Sequence, residues 1–511
     1  MSAYEMKPMG SVNVDRVNSS SKEEQGHDAT SRSTTSAKMY FFALSYMSLW
    51  EAMATNIGLA FYNGGPRAMV WGFFIVFSGV LCQVASFSEM SSVQPIAGAQ
   101  YHWTWHLAPP KYRRSITWMQ GWMTWFSWIS ILASVNVAAN ITTTLIVMSY
   151  PQYVLQGWHT VLIMWSYMLV LSLLNMYAFW IIPWMELLAS LLHVVLWIVF
   201  AAVLLTLAPR HPAEFVFLEK ANGSSWDSDF VSFNLGIILI TWGFVGFDAS
   251  AHISEETRRA SSSIPRAMFW SICLNGALPF GMIIIFLTTL GNVDDLLASG
   301  YPLMAICLSA TNSIPGASAM VGGFLCTIIS VCIGSVASSS RLTWAWARDG
   351  ALPAYFAKVD PKHRIPVRSV WLPLVIVGLL SLLNLANYTA FSVIISLSTF
   401  GLYQSYFIAI ACMLHARLTG RIPEAPWSLG RYGVVINIFA LIYSAWLGIF
   451  MIFPSYLPIT PSSMNYALPI NALIWLIAIV SWFGWAEKNW AGLDVELINK
   501  IVADGERDTK E

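Results

Sequence analysis

Twelve long apolar runs, separated by short polar stretches, limit what this chain of 511 residues can fold into more than any other feature. They fall at about 39–62, 67–90, 115–148, 159–180, 183–207, 231–250, 266–290, 315–339, 367–386, 389–415, 431–453 and 467–487. A helix crosses about 30 Å of hydrocarbon in roughly 20 residues, and only helices or closed barrels satisfy their backbone there. The pattern predicts an all-α integral membrane protein with twelve transmembrane helices. Composition excludes a water-soluble alternative. Hydrophobic residues make up 56% of the chain and charged residues 11%, where soluble domains carry about 25% charged residues. So much apolar surface could not be covered in water.

Lys and Arg orient the segments. With both termini on one side, that side holds 24 of the 27 basic residues, and the other holds Arg67, Arg210 and Lys220. Both termini are therefore expected in the cytoplasm, and the asymmetry supports an even number of crossings. Residues 1–38 are polar and Ser/Thr-rich without apolar periodicity, and predict a disordered cytoplasmic tail. They hold no signal-peptide core, so the first segment is expected to start insertion. Residues 39–487 form the twelve-helix domain and 488–511 a cytoplasmic C-terminal tail. Asn222-Gly223-Ser224 falls in the longest outward loop and is a candidate glycosylation site. The six cysteines lie in or beside apolar runs without metal-ligand spacing and read as small core residues. The net charge of zero leaves no nucleic-acid footprint. No metal or cofactor is expected.

Segments one and six are interrupted in corresponding places. In the first, the stretch from Trp50 to Gly58 sets Glu51 among small and polar residues near mid-depth. In the sixth, Gly243 and Gly246 precede Asp248. These segments open two sets of five, and matched weak points are the sequence mark of an inverted-repeat transporter with its site at the bilayer midplane. Glycines alone would equally suit close helix packing. Glu51 has no packing rationale and favours a site.

Asn63-Gly64-Gly65-Pro66, Ser88-Glu89-Met90-Ser91-Ser92 and Pro95-Ile96-Ala97-Gly98-Ala99-Gln100-Tyr101 resemble the amino acid–polyamine–organocation permeases. So do Gly246-Phe247-Asp248-Ala249, Glu255-Glu256-Thr257, Ile264-Pro265-Arg266-Ala267, Ser340-Arg341 and Ala347-Arg348-Asp349-Gly350-Ala351-Leu352-Pro353. Ala108-Pro109-Pro110-Lys111-Tyr112 and Met464-Asn465-Tyr466 are similar to the fungal amino acid/choline transporter branch, which includes GABA and choline permeases. The resemblance runs in order over about 39–487. It implies an inverted five-plus-five helix repeat with broken helices one and six and alternating access. Many relatives are proton-driven. It implies a symporter that imports an amino acid, GABA or a related small amine across the plasma membrane, with the vacuolar membrane as the alternative. A choline or other quaternary-amine permease, or a transport-silent nutrient receptor of the same fold, are the competing functions. Receptors of that kind often carry a long signalling tail, and the 38-residue tail expected here is short. A major-facilitator carrier would show a long loop after segment six, and here that loop is only about 250–265. An enzyme would need a catalytic or metal constellation, and the sequence offers none.

Unwinding leaves N–H groups at the start of each second half-helix and carbonyls at the end of each first. Such poles suit a zwitterion. Glu51, Ala52, Met53, Ala54, Thr55, Asn56, Thr241, Trp242, Gly243 and Phe244 are the expected substrate-binding residues, 52–56 and 241–244 mainly through their backbones. The resemblance implies that Trp242, where such permeases place an aromatic on broken helix six, covers the substrate, and its ring could attract an amine through its π face. For choline, Glu51, Trp50 and Trp242 would supply the acid and the aromatic cage. No Lys or Arg shares the depth of Glu51. Its partner is then the substrate amine or a transferable proton, unless it stays protonated on a backbone carbonyl. His193, about ten residues beyond Pro183, joins Glu51 as a proton-coupling candidate; the alternative is a neutral ring on the hydroxyl of Ser330 or Ser335. Glu186 reads as a helix-start cap. Glu89, Arg341, Arg348 and Asp349 read as ties among cytoplasmic loops, and Trp118, Trp122 and Trp125 as a packing face. Asn136 and Asn140 are expected to bond a neighbouring helix.

Overall fold

The computed structural model describes residues 35–299, 301–361, 365–386, 388–460 and 464–507. The expected N-terminal tail lies outside the described residues up to position 34. Among the described residues every regular element is helical. In order these are α1 (Ser36–Met47), α2 (Leu49–Asn56), α3 (Gly65–Val93), α4 (Gln100–Leu107), α5 (Arg113–Leu132) and α6 (Val135–Ser149). There follow α7 (Gly157–Tyr177), α8 (Ile182–Leu207), α9 (Ala213–Leu218), α10 (Asp229–Gly243), α11 (Ala249–His252) and α12 (Ala260–Thr289). Then come α13 (Val293–Ala298), α14 (Pro302–Thr311), α15 (Ile314–Arg348), α16 (Val367–Ser381), α17 (Leu383–Ala386) and α18 (Tyr388–Leu418). The chain closes with α19 (Gly433–Phe450), α20 (Ala467–Ser481), α21 (Glu487–Asn489) and α22 (Val495–Arg507).

Nine helical stretches among the described residues are long and apolar enough to cross a membrane. The other three apolar segments are the first, split between α1 and α2, the sixth, which ends as α10 at Gly243, and the 31-residue α18. Local signals set the helix starts. Gly64 takes a left-handed φ of 74° ahead of Pro66 in the first turn of α3, a conformation glycine adopts without steric cost. Ser228 and Ser313 cap α10 and α15, accepting from Val231 N–H and Gly316 N–H.

The bundle is layered around the broken segments. α1 lies against α8 and α12, α10 against α3, and α15 touches α5, α6 and α8. α3 and α15 sit deepest, each with 61% of its most apolar span buried, against 28% for Ala467–Asn489 at the periphery. Trp71, Phe74 and Ile75 on α3 and Trp184, Leu188 and Leu191 on α8 are exposed, as the outer face of a bundle immersed in lipid requires. At the C-terminal end Trp490, Leu493 and Ile498 are buried. The Trp490 indole donates to the Asp349 carbonyl at 2.7 Å, so this segment packs onto the same end as the α15 terminus. All six cysteines are free thiols.

Candidate functional site

Segment one breaks at Ser48, whose φ of 15° and ψ of 52° interrupt the helix between α1 and α2. The sequence places unwinding at Ala52 to Asn56, and the structure corrects it by about one turn. Ala52, Met53, Ala54, Thr55 and Asn56 are helical. The reason is local competition for the backbone: Ser48 Oγ donates to the Ser45 carbonyl at 2.6 Å, and serines that bond their own turn weaken the ladder there. Segment six breaks where expected. α10 ends at Gly243, and Gly246 turns the chain with φ of 88°. A β-carbon on Gly243 would lie 2.6 Å from Leu49 Cδ1, so the two broken segments cross in contact.

A cavity of about 80 Å³ lies at this crossing. Segment one lines it with Tyr46, Met47, Ser48, Ala52 and Thr55, segment six with Trp242, Gly243 and Val245. The α5–α6 junction adds Ile131, Ser134 and Val137, α15 adds Ile328, Val331 and Cys332, and α18 adds Ser398. Of the expected substrate residues, Ala52, Thr55, Trp242 and Gly243 are therefore together on one cavity. The other six are not among its lining residues. Met53 and Ala54 are buried, Asn56 Nδ2 donates to the Ala52 carbonyl at 3.2 Å, and the Thr241 hydroxyl donates to the Ile237 carbonyl at 3.0 Å. Phe244 packs on Phe73 and Phe77. Among the described residues the lining carries hydroxyls and one indole but no Asp, Glu, Lys, Arg or His.

Glu51 faces α8 instead. It sits in the first turn of α2, where a carboxylate is favoured by the helix dipole. His193 Nδ1 lies 2.8 Å from Oε1 and 3.0 Å from Oε2, and both side chains are fully buried. One hydrogen joins Nδ1 to the carboxyl group, whichever of the two carries it. Among the described residues His193 Nε2 has no hydrogen-bond partner. This revises two expectations: Glu51 does have a side-chain partner at its depth, and His193 is not on the hydroxyl of Ser330 or Ser335. Ser330 Oγ donates to Glu186 Oε2 at 2.8 Å and Ser335 Oγ to the Val331 carbonyl at 2.9 Å. Trp50 packs edge-on against Phe200 and Phe324, with ring centroids at 5.3 and 5.9 Å. It therefore shares no cage with Trp242 in this conformation.

Two further buried carboxylates escape the sequence reading. Glu186 is not a cap, since α8 has no side-chain cap; it accepts from Ser45 and Ser330, tying α8 to α1 and α15. Asp248 accepts from Gln100, Trp128 and Tyr406, at 2.5, 3.1 and 2.5 Å, with His252 Nε2 at 3.2 Å. An acid beside glycines in a broken segment was the available signal for Asp248; its donors come from other helices. The charged residues read as ties are paired with one another. Arg348 Nη1 donates to both Glu255 oxygens at 3.1 Å, Arg341 Nε to Glu256 at 2.9 Å, and Arg417 to Glu89. Trp118, Trp122 and Trp125 pack in one aromatic row with Trp346. Among the described residues no group of three or more His, Cys, Asp or Glu could hold a metal ion.

Comparison with known proteins agrees with this architecture. The family model described as amino acid permease matches residues 37–479. A protein of Macrophomina phaseolina carrying the provisional name amino acid/polyamine transporter is 29% identical, over 84% of this chain and 96% of its own. The choline transporter of Saccharomyces cerevisiae is 27% identical, over 87% of this chain and 80% of its own. Amino-acid permease BAT1 of Arabidopsis thaliana is 28% identical, over 86% and 91%. With nearly all of its apolar segments inside the matched region and its broken segments meeting at a cavity, the chain belongs to the amino acid permease family.

Proposed function

We propose that the chain is a twelve-helix secondary transporter, built as an inverted five-plus-five repeat. It imports a small zwitterion, an amino acid or GABA, together with a proton, by alternating access. The observation that carries the substrate class is the absence of any ionised side chain among the residues lining the cavity at the crossing of the broken segments. A zwitterion brings no net charge and meets the N–H and carbonyl poles of the half-helices. A quaternary amine would enter without a counter-ion, and a net charge at that depth costs at least about 2.5 kcal/mol. The yeast relative named a choline transporter keeps the quaternary-amine reading as the second one. Nine long apolar stretches, two divided segments and α18 support twelve crossings. The Lys and Arg count supports cytoplasmic termini, and the plasma membrane is the proposed location. Asn222, exposed in the loop before α10, is the proposed glycan acceptor.

Glu51 and His193 are the proposed proton pair. With a neutral ring the buried pair carries a net negative charge. A proton on His193 Nε2 cancels it and leaves the Nδ1–H bond to Glu51 in place. Burial favours the loaded pair and water entry favours release. α2 bears Glu51 on one face and the cavity residues Ala52 and Thr55 on another, so loading is transmitted to the substrate through eight helical residues.

Uptake in a strain lacking its own permeases tests the substrate class. Labelled substrate should be displaced by GABA or neutral amino acids, and displacement by choline alone overturns the zwitterion reading. His193→Ala should flatten the pH dependence of uptake to within about twofold between pH 5 and 7, since it removes the proposed proton site. A wild-type pH profile with normal accumulation would return His193 to the scaffold. Trp242→Ala should raise the apparent KM by about 2- to 30-fold, the equivalent of about 0.5–2 kcal/mol of ring–amine attraction. Kinetics at matched surface expression provide the check.

A further inference from the structure

We infer that Asp248 and His252, on the inner half of segment six, form a proton-binding site separate from Glu51 and His193, and that its proton holds the cytoplasmic side closed. The inference rests on the alternating-access reading but not on either member of the first pair. Both side chains are fully buried. His252 Nδ1 lies 2.8 Å from the Ala97 carbonyl. A carbonyl only accepts, so Nδ1 carries hydrogen. A neutral ring of that tautomer would turn the Nε2 lone pair toward Asp248 Oδ2, which lies 3.2 Å away. The contact is attractive only if one more proton sits between them. Three other donors converge on the carboxylate, from Gln100, Trp128 and Tyr406, which places that proton on the ring. Wherever it rests, the pair owns one dissociable proton.

The site is wired to a strained loop. Ala97 is held at both its polar atoms by inner segment six: its carbonyl by His252 and its N–H, at 3.1 Å, by Glu255 Oε1. Gln100 is held by Asp248. Between them Ala99, not a glycine, sits at φ of 43°, a conformation that persists only where neighbours over-determine it. Loss of the proton sets a lone pair against a carboxylate and pushes the ring, which bears one of three clamps on a loop already under strain, away from Asp248. The groups facing the pair leave no substitute charge. Tyr406 from α18 is committed to Asp248, and Tyr46 from α1 stands behind Trp128 with ring centroids 6.1 Å apart. Ser338 of α15 donates to the Ala249 carbonyl, Glu255 is paired with Arg348, and Arg341 with Glu256. Loading forms the Nε2–H bond, and release returns the proton to cytoplasmic water.

Cys332 lines the cavity and reports its accessibility. The full-length protein in inside-out vesicles is treated with N-ethylmaleimide, and modification of Cys332 is quantified by peptide mass spectrometry. Asp248→Asn is the decisive variant, because an Asn amide N–H can donate to His252 Nε2 without a dissociable proton. Dividing wild-type by variant labelling at each pH cancels the thiol's own chemistry. The ratio should rise from near one at pH 5.5 to about fivefold at pH 8, the size of a modest population shift. A ratio that does not change with pH overturns the proposal. His252→Gln, which cannot be protonated, should diverge from wild type in the same way, and a profile that tracks wild type overturns it as well. In a Glu51→Gln background the ratio of Asp248-containing to Asp248→Asn labelling should show the same rise with pH, which separates this site from the transport pair.

Discussion

Glu51→Gln is expected to reach the membrane and lose concentrative uptake, while exchange of preloaded substrate continues. The amide keeps the side chain's shape and still accepts from His193 Nδ1 through one oxygen, where wild type offers two at 2.8 and 3.0 Å. On the proposed coupling, what it removes is the negative charge that would balance a proton on His193 Nε2. Without that charge an imidazolium would be a lone buried cation, which the membrane interior disfavours by at least about 2.5 kcal/mol. The ring would then stay neutral through the cycle. One proton moving down one pH unit supports about tenfold accumulation, since about 1.4 kcal/mol is a factor of ten. The variant's accumulation ratio should therefore fall to about one, with exchange rates within severalfold of wild type. Accumulation equal to wild type across pH 5 to 7 would remove Glu51 from the coupling mechanism.

Arg348→Ala should produce the largest loss of stability. Arg348 reaches both Glu255 oxygens at 3.1 Å and Asp349 Oδ1 at 3.3 Å, and all three side chains are nearly buried. Removing the cation strands two carboxylates, and breaking a buried pair costs about 3–5 kcal/mol. Asp349 adds a pH signature. Burial by itself would raise its carboxyl, but Arg348, His102 and Tyr101 outweigh burial and hold it well below the ordinary carboxylate range. A depressed native value means that this contribution is complete above about pH 4, near the unfolded carboxyl value, and is lost as pH falls further. Thermal unfolding in detergent should show wild type losing stability below about pH 4, and Arg348→Ala starting lower with a shallower acid slope. Equal midpoints for the two proteins would make the cluster a minor tie.

Glu51, His193 and Trp242 were all legible as candidates because an acid, an imidazole or an indole in an apolar run is conspicuous. Their grouping was not. Glu51 and His193 are 142 residues apart, and counting only Lys and Arg at the depth of Glu51 passed over a histidine as its partner. Glu186 looked like a cap because it follows Pro183 at a helix start. Its partners, Ser45 and Ser330, lie on two other helices and are ordinary serines by sequence. The position of the first break was misread for a related reason. Ala52 to Asn56 look permissive, but the competing hydroxyls of Ser45 and Ser48 lie just upstream.

Hydrophobic run length, the side bias of Lys and Arg, and the paired interruptions are local properties, and they carried the membrane class, the helix positions and the family resemblance without any contact being known. Which way each helix is turned was decided only by the tertiary structure. In water an apolar stripe marks the buried face of a helix. In lipid the outer face is as apolar as the core, so periodicity loses that meaning. Trp50 and Glu51 could thus be assigned to the cavity from sequence and yet face α8, while Ala52 and Thr55, on the same eight-residue helix, turn toward it. Rotation of about 100° per residue separates these faces, and only the packing of α1, α8 and α15 around the break selects between them.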